Sequence, residues 1–559
     1  MEIQKKIKDW IKKELKMEEI ILMHPKDLQN GDFSFFAGDK AEEIGKPLSY
    51  HKIPEIEKVK WVGGFINFYL SKEFFTDSVN EINKEGPKFA KATSGKGKIL
   101  IDHTAPNPFK EFHIGHLMNN AIGESITRIL EVSGAKTIPV SYHGDMGLHV
   151  AKTIWGKIQK PELDWSGAYV YGGINYENHK EEIKEINKKI YEKSDPKINK
   201  LYEEGKKFSL NSFEKIYEQL GSKFDFHFYE SEAGQVGKKI VEKNMSPEES
   251  ANVDDGVKKI FEKSNGAVIF RGENFKPKTH TRVFVNTDGI PTYEAKEIGL
   301  AKLKKEKYIY DKSITITANE QDSFFDVVEV AIGEVFPELK GKLLHLSHGM
   351  LRLPGGKMSS RTGEVIMAES LINQIKMKVE EKLKDRELSP EEKKQISEIV
   401  AIGAIKYSIL KQAIGGDIIF DFDKSISFEG DSGPYLQYTA VRANSVLEKS
   451  KFQNPNFKTI FKFLNSKTKR PEDFEITELE RYIYRFPEVV KRAGEEYAPH
   501  YIVTYLTELA GAFNSFYGKE RIVNEKDLSS PYKIALTRAT HNILKFGLNL
   551  LAIKVPDKM

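Results

Sequence analysis

The stretch KILIDHTAPNPFKEFHIGH, Lys98 to His116, sets a short apolar run directly ahead of a glycine-containing turn and an amphipathic segment. Ile99, Leu100 and Ile101 are uncharged and β-prone, the pattern of a buried strand. From Gly115 the spacing becomes helical. Leu117, Ile122, Ile126, Ile129 and Leu130 share a face, and Gly134 stands where a C-terminal glycine cap belongs. TIPVSYHGDMG adds a second strand and a glycine turn. Strand, loop, helix, strand is the opening of a doubly wound α/β domain.

The loop falls where a helix begins, so free backbone N–H groups and the positive end of the helix dipole offer a phosphate site. Gly115 lets a flat base or a phosphate approach closely. His113 and His116 carry donors for phosphate oxygens and Lys110 adds a full positive charge, a set suited to an attacked phosphate. The same histidines would serve as capping and packing residues, and the motif alone does not choose. Zinc is a weak third reading, because i, i+3 histidines here have no evident third ligand. A second motif, LPGGKMSSRTGEV (Leu353–Val365), has the make-up of a cationic loop able to clamp β- and γ-phosphates. Taken alone it reads as a surface hairpin.

A chain of 559 residues exceeds one hydrophobic core, so three or more domains are expected. With 39% hydrophobic and 30% charged residues the composition is globular, and no run approaches the ~20 apolar residues of a membrane helix. The N-terminal MEIQKKIKDWIKKELKMEEI is a charged amphipathic helix without a signal-peptide core, which favours the cytoplasm. The absence of cysteine excludes disulfides, thiolate nucleophiles and Cys-ligated zinc. A net charge of +4 leaves room for a local basic surface without announcing one. Residues 1–90 read as a small α+β module ending in the linker KEGPKFAKATSGKGK, and 91–370 as the α/β domain with a charged helical insertion at about 175–265. Residues 371–425 read as connecting helices, including one started by the Ser389–Glu392 capping box. Residues 426–559 read as all-helical.

Together, HIGH and KMSSR resemble the two signatures of class I aminoacyl-tRNA synthetases, in the right order and split by an insertion. APNPFKEFHIGH, SYHGDMGLHVA, DGIPTYEAKEIGLA and FEGDSGPYLQYTAVRA resemble the arginyl-tRNA synthetase family in particular, as do the tail LTRATHNILKFGLNLLAIKVPDKM and the N-terminal GGFINFYL. The resemblance covers nearly the whole chain and is weakest in the insertion. It implies a Rossmann-type catalytic domain, a small α+β N-terminal domain that contacts tRNA and an all-α anticodon-binding domain. It implies ATP-dependent activation of L-arginine and transfer to the 3′-terminal adenosine of tRNA(Arg), by a monomer, with Mg²⁺ carried mainly on the ATP phosphates and activation dependent on bound tRNA.

Residue by residue, the resemblance implies catalytic Lys110, His113, His116 and Lys357. It implies ATP contacts from His113, Gly115, His116, Met350, Lys357 and Met358, and an arginine pocket of Asp102, Asn107, Tyr293, Glu297 and Gln321. The carboxylates of Asp102 and Glu297 suit a guanidinium, whose planar fork of N–H donors is met side-on by such groups. Tyr293 and Glu297 are four apart, so a helix would face both one way. Two departures stand out. The family usually has glutamate at Asp102 and aspartate at Glu297, and Ser360 replaces the second lysine of KMSSR, which leaves Lys110 to supply that charge. Cations and aromatics alternate in the C-terminal helices, as suits splayed anticodon bases: Arg442, Lys491, Arg492, Arg521, Lys533, Arg538 and Lys545 with Tyr501, Tyr505, Phe513, Phe516 and Tyr517. Phe513 and Phe516 read as core, Arg442 and Tyr501 as tRNA contacts, and Asn67 and Phe68 as contacts near the tRNA elbow. The alternatives are a non-catalytic RNA-binding relative, another class I synthetase, or a general nucleotidyltransferase. The cysteinyl enzymes' zinc-ligating cysteines are absent, and a nucleotidyltransferase has no need of the long helical tail.

Overall fold

The computed structural model describes residues 2–16, 19–87, 97–245, 260–353, 356–357, 367–452 and 468–559. The chain divides into two compact units, Met1–Ala90 with Pro390–Ala404 and Ile426–Met559, and Lys91–Ser389 with Ile405–Ser425.

In the second unit the expected strand is the centre of a five-stranded sheet. Lys98–Asp102 lies between Lys312–Ala318 and Lys136–His143, with Leu343–His348 and Phe226–Tyr229 at the edges and every pairing parallel. Parallel strands need crossovers, and the helix Ile114–Val132 is the first. One face of the sheet, from Leu100 and Val140 to Phe228, packs in a single core with Ala233 of the Glu230–Lys243 helix and Ala295 and Ile298 of the Tyr293–Lys307 helix. Those two helices meet backbone to backbone. A Cβ on Gly299 would lie 1.9 Å from the Ala233 carbonyl oxygen, and one on Gly237 1.8 Å from that of Ala295.

The helical insertion occupies Trp165–Ile174, Lys180–Glu192 and Pro196–Leu220 around a core that includes Trp155, Ile183, Ile190 and Ile198. It starts and ends earlier than the charge pattern suggests. The sheet resumes at Phe226–Tyr229, a strand of four residues too short to register against charged helices on both sides. A three-stranded antiparallel sheet, Glu262–Ser264, Ala267–Arg271 and Thr281–Val285, follows.

In the first unit an antiparallel sheet ordered Phe33–Phe36, Phe65–Leu70, Ile56–Val62 shares its core with Tyr484 of the Glu478–Glu495 helix. Buried Asp32 accepts from Leu70 N–H at 2.9 Å and pairs with Arg481. His24 joins the Asp32 carbonyl (2.7 Å) to Glu488 (2.8 Å). Chain segments more than 400 residues apart are thus tied by a charged network. Asn67 and Phe68, expected to touch RNA, are 4% and 0% exposed. They lie on the central strand, and the Phe68 ring packs against Trp10 and Phe35. The exposed aromatic of this sheet is Phe36.

Gly299→Ala must push the two helices apart. It is expected to destabilise the catalytic unit by about 3 kcal/mol, the upper end of ordinary overpacking, read as a lowered thermal midpoint. An unchanged midpoint would mean that the helices do not make this contact.

Candidate active site

His113 is the N-cap of the Ile114–Val132 helix. Its Nδ1 accepts from Gly115 N–H at 3.1 Å, and His116 Nδ1 accepts from His113 N–H at 3.2 Å. The rings stack with centroids 3.6 Å apart. The capping and phosphate readings therefore use different atoms of the same rings. An Nδ1 that accepts puts the proton of a neutral imidazole on Nε2, leaving Nε2–H as the donor. Burial, together with neighbouring Lys110, lowers the pKa of His113 to about 4. Burial, His113 and Lys110 hold His116 well below the ordinary histidine value. Both are neutral donors at physiological pH. Lys110 is half-buried, its pKa lowered by burial against the opposing pull of Glu230, and no side chain among the described residues pairs with it.

The loop before this helix holds Thr104 (φ 72°), Ala105 (45°) and Phe109 (68°) in the left-handed region, a strain that persists only where the surroundings over-determine it. Those surroundings come partly from the insertion. Phe109 N–H donates to Ser209 Oγ at 2.9 Å, and its ring packs on Trp165 and Tyr202. From the Ile114–Val132 helix, Asn120 donates to Thr104 Oγ1 at 3.1 Å. Asp145, fully buried in the SYHGDMG turn, accepts from Tyr202 Oη and Lys206 Nζ (2.7 Å each) and from Ser231 N–H (2.8 Å), so the insertion also grips the adjacent turn.

The pocket expected to take arginine is a cluster of acids. Lys296 Nζ pairs with Glu230 at 2.6 Å and Lys304 Nζ with Asp102 at 2.7 Å, and all four side chains are buried. Asp102, expected to meet a substrate cation, thus already holds a lysine of its own chain. Glu297 lies between those lysines on the same helix and has no partner among the described residues. Burial raises its pKa to about 8 against the opposing pull of Lys304, with the charges of Asp102, Glu230 and Glu294 adding to the rise. Asn107 and Glu230 converge on Gly144, where an added Cβ would lie 2.3 Å from Asn107 Oδ1 and 3.1 Å from Glu230 Oε1. Tyr293 opens the helix and is 67% exposed, while Glu297 one turn on is half-buried. Gln321 is exposed just beyond the Lys312–Ala318 strand.

Comparison with known proteins settles the family. The profile described as tRNA synthetases class I (R), catalytic domain, matches residues 78–422, and that of the DALR anticodon binding domain matches 436–559. The chain belongs to the class I tRNA synthetase (R) family. Arginine–tRNA ligases of Halothermothrix orenii and Clostridium perfringens are each 29% identical to it over 100% of this chain and 100% and 99% of theirs. Thermus thermophilus arginyl-tRNA synthetase shares the fold with a TM-score of 0.78 at 22% identity, covering 99% of this chain and 100% of that one. The Plasmodium falciparum enzyme does so at 0.76 and 21%, covering 100% and 99%.

Of the second signature, Gly356–Lys357 pairs antiparallel with Leu351–Leu353, while Met358 and the rest of KMSSR lie outside the described residues. The approach to it is pinned by Asp417, which accepts from Met350 N–H (2.9 Å) and from Arg352 (2.7 Å) and leaves the Met350 side chain exposed. In the DALR region Arg492 lies 3.9 Å over the Tyr501 ring, a cation stacked on a half-exposed aromatic. Arg442 is held by Asn514 at 2.5 Å between Tyr438 and Tyr517. Phe513 and Phe516 are core, as expected. Glu230, Lys296, Lys304, Asp145 and Asp417 were missed. The one available signal was a pair of lysines interrupting the apolar stripe of YEAKEIGLAKLKK. Among the described residues no three His, Asp or Glu are grouped to hold a metal, and no helix is long and apolar enough to cross a membrane.

His103, His143 and His149, each buried and lowered to about 3, join His113 in binding protons more weakly folded than unfolded. The unfolded chain gains protons first as pH falls below the free histidine value of 6.5. These histidines should lower the thermal midpoint progressively as pH falls from about 6.5 toward 4, read in a Glu297→Gln variant, because the raised carboxyl of Glu297 titrates in the opposite sense between about 4.5 and 8. A midpoint flat across that window would contradict the neutral, buried assignment.

Proposed function

We propose that the chain is an arginine–tRNA ligase, which activates L-arginine with ATP to arginyl-adenylate and pyrophosphate and then transfers arginine to the 3′-terminal adenosine of tRNA(Arg). One observation carries the choice of amino acid: half-buried Glu297 has no partner among the described residues, while internal lysines occupy its two acidic neighbours. A cavity that already holds two ammonium groups and one unmatched acid is short of one cation. The guanidinium fork supplies it in a shape that also reaches Asn107 and Gln321.

In this reading the arginine carboxylate attacks the α-phosphate in line. The Nε2–H groups of His113 and His116 donate to the phosphate and ribose end, and they need no change of protonation to do so. Lys110 and Lys357 hold the departing pyrophosphate, with Lys110 on the braced loop replacing the lysine absent at Ser360. Positioning and charge stabilisation supply the catalysis. Gly115, Met350 and Met358 line the nucleotide, and Tyr293 flanks the amino acid. Mg²⁺ would accompany ATP as part of the substrate, carried mainly on its phosphates. Tyr501, stacked with Arg492, receives an anticodon base, and Arg442 supports it. The enzyme works as a monomer in the cytoplasm.

Pyrophosphate exchange with each of the twenty amino acids, with and without total tRNA, tests this directly. Exchange with arginine alone, and only with tRNA present, is the expected result. Exchange with another amino acid would refute the pocket, and no exchange would favour a non-catalytic RNA-binding protein. Lys110→Ala should cut kcat of adenylate formation at least tenfold with tRNA binding nearly intact, and a near-normal rate would remove the role assigned to it. Because Glu297 must ionise to hold a cation, arginine KM should fall roughly tenfold between pH 6.5 and 8. Glu297→Gln should flatten that dependence at a raised KM, and a slope that survives would place the titrating group elsewhere.

A further inference from the structure

Tyr142, on the Lys136–His143 strand, has no part in the account so far. Its hydroxyl is buried and has no hydrogen-bond partner among the described residues. Buried hydroxyls usually find one, and others here do. Tyr202 donates to Asp145, Tyr532 to Glu480 and Tyr505 to the Tyr482 carbonyl. Tyr217 and Tyr310 share the deficit, but the carboxylate acting on Tyr217 is Glu214 and that acting on Tyr310 is Glu338, one each. Tyr142 differs in its surroundings, since Glu230, Glu297, Asp145 and Asp102 all act on it.

The sheet register explains this crowding. Asp102 pairs with Val140, and strand alternation returns Tyr142 to the face that carries Val140, one strand across from Asp102 and one step nearer the carboxyl ends. That is the face covered by the helix bearing Glu297, Lys296 and Lys304, and Tyr142 packs against its core. Gly144, where Asn107 and Glu230 converge, is two residues on. The phenol therefore ends among the pocket acids, yet it bonds to none of them.

We propose that the Tyr142 hydroxyl is a specificity-determining contact for the guanidinium of arginine. The inference rests on the arginine reading of this pocket. A guanidinium offers only donors, so the phenolic oxygen accepts one N–H, and its own proton turns to a flanking carboxylate. Glu297 takes the charge and Tyr142 takes a second direction of the planar fork. An ammonium group, whose donors radiate from one point, cannot fill both places in the same way. Burial and the surrounding acids raise the phenol far above its ordinary pKa, so it stays protonated through the working range.

The test is Tyr142→Phe, which removes one oxygen and keeps the ring. Pyrophosphate exchange with tRNA present should show arginine KM raised roughly tenfold to a hundredfold. ATP KM should stay within about twofold, and kcat within about threefold. Agmatine keeps the guanidinium and lacks the carboxylate, so as an inhibitor its Ki should rise by the same factor as arginine KM. The thermal midpoint should be unchanged or higher, because the hydroxyl that is lost has no hydrogen-bond partner among the described residues. A merely structural role predicts the opposite, a lowered midpoint with agmatine Ki unmoved. An unchanged agmatine Ki overturns the proposal whatever happens to stability. Wild-type enzyme that exchanges with an amino acid other than arginine sinks the arginine reading and this proposal with it.

Discussion

The close contact of the Glu230–Lys243 and Tyr293–Lys307 helices is the constraint on which the rest of the catalytic unit depends. Gly237 and Gly299 let the backbones touch, and at that separation Lys296 reaches Glu230 while Lys304 reaches Asp102. A buried carboxylate without a partner is costly, and a buried ion pair contributes to specificity of structure more than to stability. On the proposed arginine reading the pairing serves selection. It neutralises two acids from the protein's own chain and leaves Glu297, between the two lysines, without a partner among the described residues. Separating the helices would leave both lysines short of their acids and remove that distinction.

The proposed phosphate end of the site obeys the same economy by another route. Helix starts leave backbone N–H groups without partners, and the side chains that satisfy them usually do nothing else. His113 and His116 each use Nδ1 on the cap, which sets the tautomer and leaves Nε2–H as the remaining donor. A capping serine would satisfy the same N–H groups but would bring no ring with a second donor. The insertion contributes at a distance. Ser209, Trp165 and Tyr202 fix the left-handed backbone of the loop that carries Asn107 and Lys110.

Much of the catalytic unit was legible because its signals are local. A buried parallel strand reads as an uninterrupted apolar run, and the helix after it as a 3.6-residue period ending at Gly134. The limits of the insertion were not legible, because Phe226–Tyr229 becomes a strand only by pairing with Lys136–His143. Phe68 was misread for a related reason. Exposed and buried aromatics look alike until the central place of a strand in its sheet is known, and here the exposed position went to Phe36.

The sequence by itself determined the α/β opening, the place of His113, Gly115 and His116 at a helix start, the charge at Lys110 and the candidate acids Asp102 and Glu297. These follow from short-range periodicity and residue chemistry. Only the tertiary structure decided which acid is free, which lysines occupy the other two, and that Tyr142 ends among them with an unpaired hydroxyl. Lys304 and Asp102 are 202 residues apart, and Lys296 and Glu230 are 66 apart. Electrostatic pairing at such separations is set by which surfaces the fold brings into contact, and no local pattern records it.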